Sequence, residues 1–255
     1  MYFLPEYLTI IEHFDPTQLY DARIFITGAG SWLGSWVTNF LDHAGIEYER
    51  FKKPYDKFPD GHFDYVLHLA QCDICPILDF SCQSKLLFMS SGSVYKPDPD
   101  VKSDKRLHED MVISSGLDFR IARGYTFIGY GSPLRYAAAR FIDRAMKGQP
   151  LQIFNDSIRT YLYMADVVAW LLTILVKGER TIYDVAGWRP IRILELAEMV
   201  NRVTGNTGIE MDDGTGDIRP IYVPNIERLT RSMLLGLNEW TSLETAIKRT
   251  VEYSE

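Results

Sequence analysis

The segment RIFITGAGSWLGS, residues 23–35, constrains the fold more than any other part of the chain. A β-rich run over residues 23–27 ends in Gly28-Ala29-Gly30, and a helical pattern over residues 32–43 follows directly, stopping at Ala44-Gly45. Glycines at such a turn allow tight backbone geometry and the close approach of a ligand. The helix start beyond it offers unpaired N–H groups and a partial positive charge, a good seat for a phosphate. A glycine-rich turn between strand and helix also occurs without a ligand, so the reading rests on the placement: strand before, helix after. The candidate contacts to a dinucleotide are Gly28, Gly30, Ser31, Trp32, Leu33 and Gly34. The literal pattern Gly-x-Gly-x-x-Gly fails, because Leu33 stands where its third glycine belongs.

Further candidate strands follow at residues 47–51, 63–70, 85–90 and 118–123, with helical stretches at 103–114 and 133–147. Strands alternating with helices predict an α/β fold, a doubly wound parallel sheet of the Rossmann type. Beyond residue 130 the pattern loosens. Short strands are expected at 151–154 and 181–185, and helices at 166–177, 193–204 and 243–253, the last capped by Thr241 or Ser242. These elements form a smaller C-terminal α/β region. Residues 1–22 read as an N-terminal extension of helical character, 23–130 as the dinucleotide-binding core, and 131–255 mainly as the substrate-binding region.

Bulk properties narrow the partners. The 255 residues carry a formal charge of −7, which points away from nucleic acid, where Lys and Arg must neutralise phosphates. No run of about 18 apolar residues is present to cross a membrane, and the start lacks the basic, apolar pattern of a signal peptide. The protein is therefore expected to be cytoplasmic. Cys72, Cys75 and Cys82 are too few and odd in number for a disulfide framework. Cys72-Asp-Ile-Cys75 reads as ordinary thiols, and no metal is expected.

The turn TGAGSWLGS resembles the TGxxGxxGS turn of the extended short-chain dehydrogenases/reductases, the NAD-dependent epimerase/dehydratase family that modifies sugar nucleotides. Gly28 and Gly34 match its first and third glycines, and Ser31 takes the middle place. The resemblance continues in order through FDYVLHLA, LLFMSSGSVY, IARGYTFIGYG, FIDRAMKGQPLQIFNDSIRTYLYMADVV and the tail VPNIERL to TSLETAIKRTVEY. It implies that Leu69 and Ala70 lie beside the cofactor. It places Lys52, next to Lys53 and near Arg50, where many relatives hold the acid that binds the adenosine ribose. A cation there attracts a 2′-phosphate, which favours NADP over NAD. The segment from Lys53 to the third strand is shorter than the resemblance expects, so the adenine side looks truncated.

The family's chemistry uses Ser or Thr, Tyr and Lys. The resemblance places the Ser at Ser91 and the Lys at Lys105, with Glu109 one helical turn on. Four residues before Lys105, where the acid/base Tyr belongs, stands Val101. Tyr95 is the candidate phenol in its place, and His108 a second candidate proton carrier. Gly92 and Ser93 stand where dehydratases carry Asp-Glu, which argues against a 4,6-dehydratase. On the substrate side, Arg159 matches an Arg that contacts the diphosphate, a role suited to its bidentate fork, and Thr126 stands near the sugar. Asp166 reads as structural, at the start of a helix. Two readings stay open. One is an NAD(P)-dependent epimerase or reductase acting on a nucleoside-diphosphate sugar, paired as a homodimer. The other is a catalytically degenerate member that binds a nucleotide or a protein. A different reaction on the same scaffold is a third, since fold alone does not fix function.

Overall fold

The computed structural model describes residues 3–51, 58–95, 104–212 and 221–253. The chain runs through α1 (Leu4–Ile11), β1 (Ile24–Thr27), α2 (Trp32–Ala44), β2 (Glu49–Phe51), β3 (Tyr65–His68), α3 (Cys75–Phe80) and β4 (Lys85–Ser91). It continues with α4 (Asp104–Ser114), β5 (Asp118–Gly124), β6 (Phe127–Ile128), α5 (Ala137–Met146), β7 (Leu151–Ile153), β8 (Ile158–Arg159) and β9 (Leu162–Tyr163). It closes with α6 (Met164–Lys177), β10 (Ile182–Val185), β11 (Ile191–Arg192), α7 (Ile193–Thr204), β12 (Ile209–Met211), β13 (Ile221–Tyr222), α8 (Ile226–Leu234) and α9 (Leu243–Glu252).

Six strands form one sheet in the order β10-β5-β4-β3-β1-β2, with every neighbouring pair parallel. Side chains alternate across it, as the two-residue period of a strand requires. Ile24 and Ile26 enter one core layer with Leu67, Leu87, Met89 and Ala122. Phe25 enters the other with Val66, Leu86, Phe88 and Ile121. The first layer is covered by α1, α2 and α6, the second by α3 and α4. Burial on both faces is why the inner strands β1, β3 and β4 read as near-continuous apolar runs. The doubly wound α/β fold expected from the sequence is the one observed.

The topology fixes where a ligand binds. From β1 the chain crosses to β2 on one side and then to β3 on the other, so the order reverses at the β1/β3 boundary. In open α/β sheets the crevice lies at that switch point, beyond the carboxyl ends of the strands. There Gly28 adopts φ +77°, and a Cβ on it would meet the Ala70 backbone nitrogen at 2.6 Å. The ends of β1 and β3 close on each other only because residue 28 is glycine.

The helix expected at 166–177 is α6, which is buried on all sides over residues 164–175 and packs between the sheet and α1. Among the described residues no helix is long and apolar enough to cross a membrane. The first helix docks on α6 through Ile10, while Glu6 accepts a hydrogen bond from the Tyr163 hydroxyl at 2.7 Å. The helix expected from residue 133 begins only at Ala137, with turns before it. Ser242 is the cap of α9, its Oγ accepting from the Thr245 N–H at 3.2 Å. Thr241 is spent elsewhere: its N–H and hydroxyl donate to Asp166 at 2.9 and 2.8 Å. The short helix α3 and the charged helix α8 were not legible in the sequence. α8 is capped by Asn225 and held by Ser232 Oγ, which donates to the Asp184 carbonyl at 3.2 Å.

Asp166 yields a pH prediction. Burial pushes its carboxyl up to about 6, against the Thr241 hydrogen bonds that oppose the rise. A carboxyl with a raised folded pKa binds its proton more tightly when folded. Its contribution to stability is therefore full below the unfolded value of about 3.9 and is lost as pH rises through about 6. Asp166→Asn is expected to flatten the fall in urea-unfolding free energy over that window. An unchanged slope would contradict the assignment.

Candidate active site

A cavity of about 1150 Å³ opens at the carboxyl ends of β1, β3, β4 and β5. Gly28, Ser31, Trp32 and Leu33 form its wall on the glycine turn, and Leu69 and Ala70 form it at the end of β3. Across the cleft stand Ser90, Ser91, Lys105 and His108. A second cavity of about 450 Å³ adjoins it, lined by Thr126, Arg140, Arg159, Tyr161 and Tyr222, with Ser91, Tyr125, Arg135 and Tyr136 on the walls of both.

Local sequence sets the turn. Ser31 caps α2, its Oγ accepting from the Gly34 N–H at 3.0 Å, and the Ser31 N–H donates to the Gly28 carbonyl at 2.9 Å. A Cβ on Gly34 would stand 2.1 Å from that carbonyl, so Gly34 serves the packing of helix on turn and does not line the cleft. Gly30 has open space where its Cβ would be, and faces a smaller aromatic cavity between Trp32, Trp36 and Tyr130. The Trp32 and Trp36 indoles both donate to the Tyr130 carbonyl, at 2.7 and 3.1 Å. Lys52 and Val101 lie outside the described residues.

On the opposite wall Lys105 donates from Nζ to the Met89 carbonyl at 2.9 Å. Burial holds its ammonium below the usual lysine range, partly offset by Glu109. Glu109 is bound to Arg123, whose Nε donates to Oε1 at 2.9 Å, and both side chains are buried. Ser91 Oγ accepts from the Ser93 N–H at 3.2 Å and lies 3.3 Å from the Tyr222 hydroxyl. Arg159 bonds Ser157 Oγ at 3.2 Å and stands over the Tyr222 ring, 5.2 Å from its centroid.

Tyr95 is not brought to this place. It lines neither cavity. Its hydroxyl donates to Asp184 Oδ1 at 3.2 Å and accepts from the Arg228 guanidinium, while Arg123 covers its ring at 4.5 Å. The 3-10 turn Gly92–Tyr95 at the end of β4 carries the phenol away from the cleft. Tyr95 therefore stands apart from the two cavities, its hydroxyl engaged by Asp184 and Arg228. Ser91 and Lys105 share the main cavity, and Ser91, Thr126 and Arg159 share the second.

Three residues of this centre escaped the sequence reading. Asp184, at the end of β10, accepts from the Tyr125 hydroxyl at 3.1 Å and from the Asn225 N–H at 2.9 Å. Tyr125 directly precedes Thr126, a proximity that could have flagged it. Tyr222 belongs to no motif; only the pairing of β13 with β8 brings it to Ser91. A Cβ on Gly92 would stand 2.5 Å from Tyr125 Cζ, so the Tyr125 ring packs directly over the Gly92 backbone. Cys72 lies on the cavity wall. Among the described residues no cluster of His, Cys, Asp or Glu is arranged to hold a metal ion.

No protein-family model matches the chain. It is 29% identical over 149 residues to an Arabidopsis thaliana trifunctional UDP-glucose 4,6-dehydratase/UDP-4-keto-6-deoxy-D-glucose 3,5-epimerase/UDP-4-keto-L-rhamnose-reductase. That match spans 55% of this chain and 22% of the plant protein. Among solved structures, the UDP-glucose 4-epimerase of Thermus thermophilus, complexed with NAD, has a TM-score of 0.71 at 19% identity, covering 91% of this chain and 98% of that one. RMD from Pseudomonas aeruginosa, complexed with NADPH, gives 0.73 at 18% over 91% and 98%.

Proposed function

We propose that this chain, a divergent relative of the extended short-chain dehydrogenases/reductases of the epimerase/dehydratase type, is an enzyme. In this reading it is an NAD(P)-dependent epimerase or reductase that acts on a nucleoside-diphosphate sugar by hydride transfer. One observation carries the reading: the cleft at the topological switch point joins a phosphate-type glycine turn to Ser91 and Lys105 on its opposite wall.

The residues suit a dinucleotide. The start of α2 supplies N–H groups for the pyrophosphate beside Ser31, Trp32 and Leu33. Leu69 and Ala70 form the flat apolar wall where β3 ends. Bound there, the cofactor supplies or accepts the hydride. Lys105 holds the nicotinamide ribose, and its charge favours ionisation of a neighbouring hydroxyl. Ser91 orients the substrate oxygen. Arg159 and Thr126, on the second cavity, receive the diphosphate and the sugar. This divides the chain between a dinucleotide-binding part over 23–130 and a substrate part over 131–255, following the extension 1–22. NADP is favoured over NAD by Lys52, and a homodimer belongs to the same reading.

The test is a panel of UDP-, dTDP- and GDP-hexoses and their 4-keto derivatives, incubated with protein and NADPH, NADH or their oxidised forms. Cofactor-dependent conversion of one nucleotide sugar is the expected result. Cofactor binding without conversion of any of them would overturn the enzyme reading in favour of a degenerate nucleotide-binding module.

A further inference from the structure

The reaction proposed above needs a proton carrier beside Ser91, and Val101, where the resemblance expects a tyrosine, has no proton to give. Three phenols gather around Asp184 and Ser91. Tyr95 and Tyr125 are committed to the two oxygens of Asp184, at 3.2 and 3.1 Å. Asp184 is fully buried, so both donors sit in bonds that are costly to break. Tyr222 is also engaged, its hydroxyl donating to the Gly124 carbonyl at 3.5 Å, and it faces Ser91. Among the described residues its hydroxyl is the one that meets Ser91 Oγ, at 3.3 Å. Tyr222 lines the second cavity, and Ser91, which it meets, lines both.

The ring is held for the task. Tyr125 packs against it at 4.9 Å between centroids, and the Arg159 guanidinium stands over it at 5.2 Å. Pairing of Ile221 and Tyr222 with Ile158 and Arg159 fixes the strand that carries it. We propose that Tyr222 exchanges the proton with the reacting oxygen of the nucleotide sugar, while Ser91 orients that oxygen; the inference rests on the function proposed above. In the reductive direction the carbonyl carbon gains a hydride from the dihydronicotinamide, which is oxidised as the sugar is reduced. The C=O π bond and the Tyr222 O–H bond break, a C–H and an O–H bond form, and the phenolate regains a proton from water. Burial raises the Tyr222 pKa despite the Ser91 and Arg159 contacts, so the side chain enters this step protonated.

Tyr222→Phe removes the hydroxyl and keeps the ring. Turnover is expected to fall by about 100-fold or more, the usual scale for a positioned acid/base, with the KM for the sugar nucleotide and the affinity for NADPH little changed. Tyr95→Phe, measured alongside, decides between the phenols: a loss of that size there and none at Tyr222 overturns the proposal. If Tyr222→Phe does not fold, 3-fluorotyrosine placed at position 222 of the full chain replaces it. Its more acidic phenol is expected to move one limb of the turnover–pH profile to lower pH, and its fluorine resonance to shift on addition of a UDP-hexose. Full turnover of Tyr222→Phe, or an unmoved profile and resonance, overturns the Tyr222 assignment and leaves the enzyme reading intact. A wild-type protein that binds NADPH but converts no nucleotide sugar overturns the enzyme reading, and this assignment with it.

Discussion

Lys105→Ala is expected to lower turnover by about 10²–10⁴-fold, the range found for groups that assist proton transfer. The side chain reaches from α4 to the wall of the main cavity and donates a hydrogen bond to the Met89 carbonyl at 2.9 Å. Its burial already holds the ammonium below the usual range, so the charge acts in a setting of weak screening, where it bears strongly on a nearby hydroxyl. Alanine removes that charge and the ribose contact assigned to it, so NADPH affinity should drop as well. The loss should exceed that of Lys105→Arg, which keeps the cation but not its size. Steady-state kinetics with the sugar nucleotide identified by the panel check this. Equal turnover of Lys105→Ala and wild type would remove the residue from the mechanism.

The second large effect concerns stability. Glu109→Ala is expected to destabilise the fold by about 3–5 kcal/mol, the usual consequence of removing one partner of a buried ion pair. Glu109 is 1% exposed and Arg123 8%. The Arg123 guanidinium lies on β5 beneath the Tyr95 ring, and Glu109 binds it through two nitrogens. Without the carboxylate a buried cation loses its counter-charge and two acceptors. Urea unfolding measures the change, and a loss below about 1 kcal/mol, the range of surface pairs, would contradict it. Because Glu109 also steadies the Lys105 charge, the variant should lose some NADPH affinity at temperatures where it remains folded.

The inner strands β1, β3 and β4 were legible in the sequence because burial on both faces writes itself into composition, whereas β2, exposed at the sheet edge, carries Glu49 and Arg50. The β1 turn and α2 were equally legible: Gly28, Gly34 and Gly45 each stand where the backbone or the packing leaves no room for a side chain or adopts positive φ. The strand order β10-β5-β4-β3-β1-β2 comes from the structure alone; the sequence reading reached only a parallel sheet with crossover helices.

What stayed hidden depends on contacts distant in sequence. The direction of Tyr95 is set by Arg123, Asp184 and Arg228, which come from β5, β10 and α8. Tyr222 reaches Ser91 across 131 positions of sequence, through a strand too short to show a period. Helix α8 buries Leu229 and Ser232 but leaves Ile226 and Leu234 exposed, so its apolar residues do not mark the packed face. Asp184 looks like an ordinary polar residue closing a strand until the phenols of Tyr95 and Tyr125 converge on it.

The central claim is that the cleft between the glycine turn and Lys105 takes a nicotinamide dinucleotide. Titration of purified, folded protein with NADPH and with NADH, following the fluorescence of the dihydronicotinamide, tests it most directly. The account predicts saturable binding of NADPH, tighter than that of NADH. Binding of neither, by protein whose cooperative unfolding shows it to be folded, would contradict it.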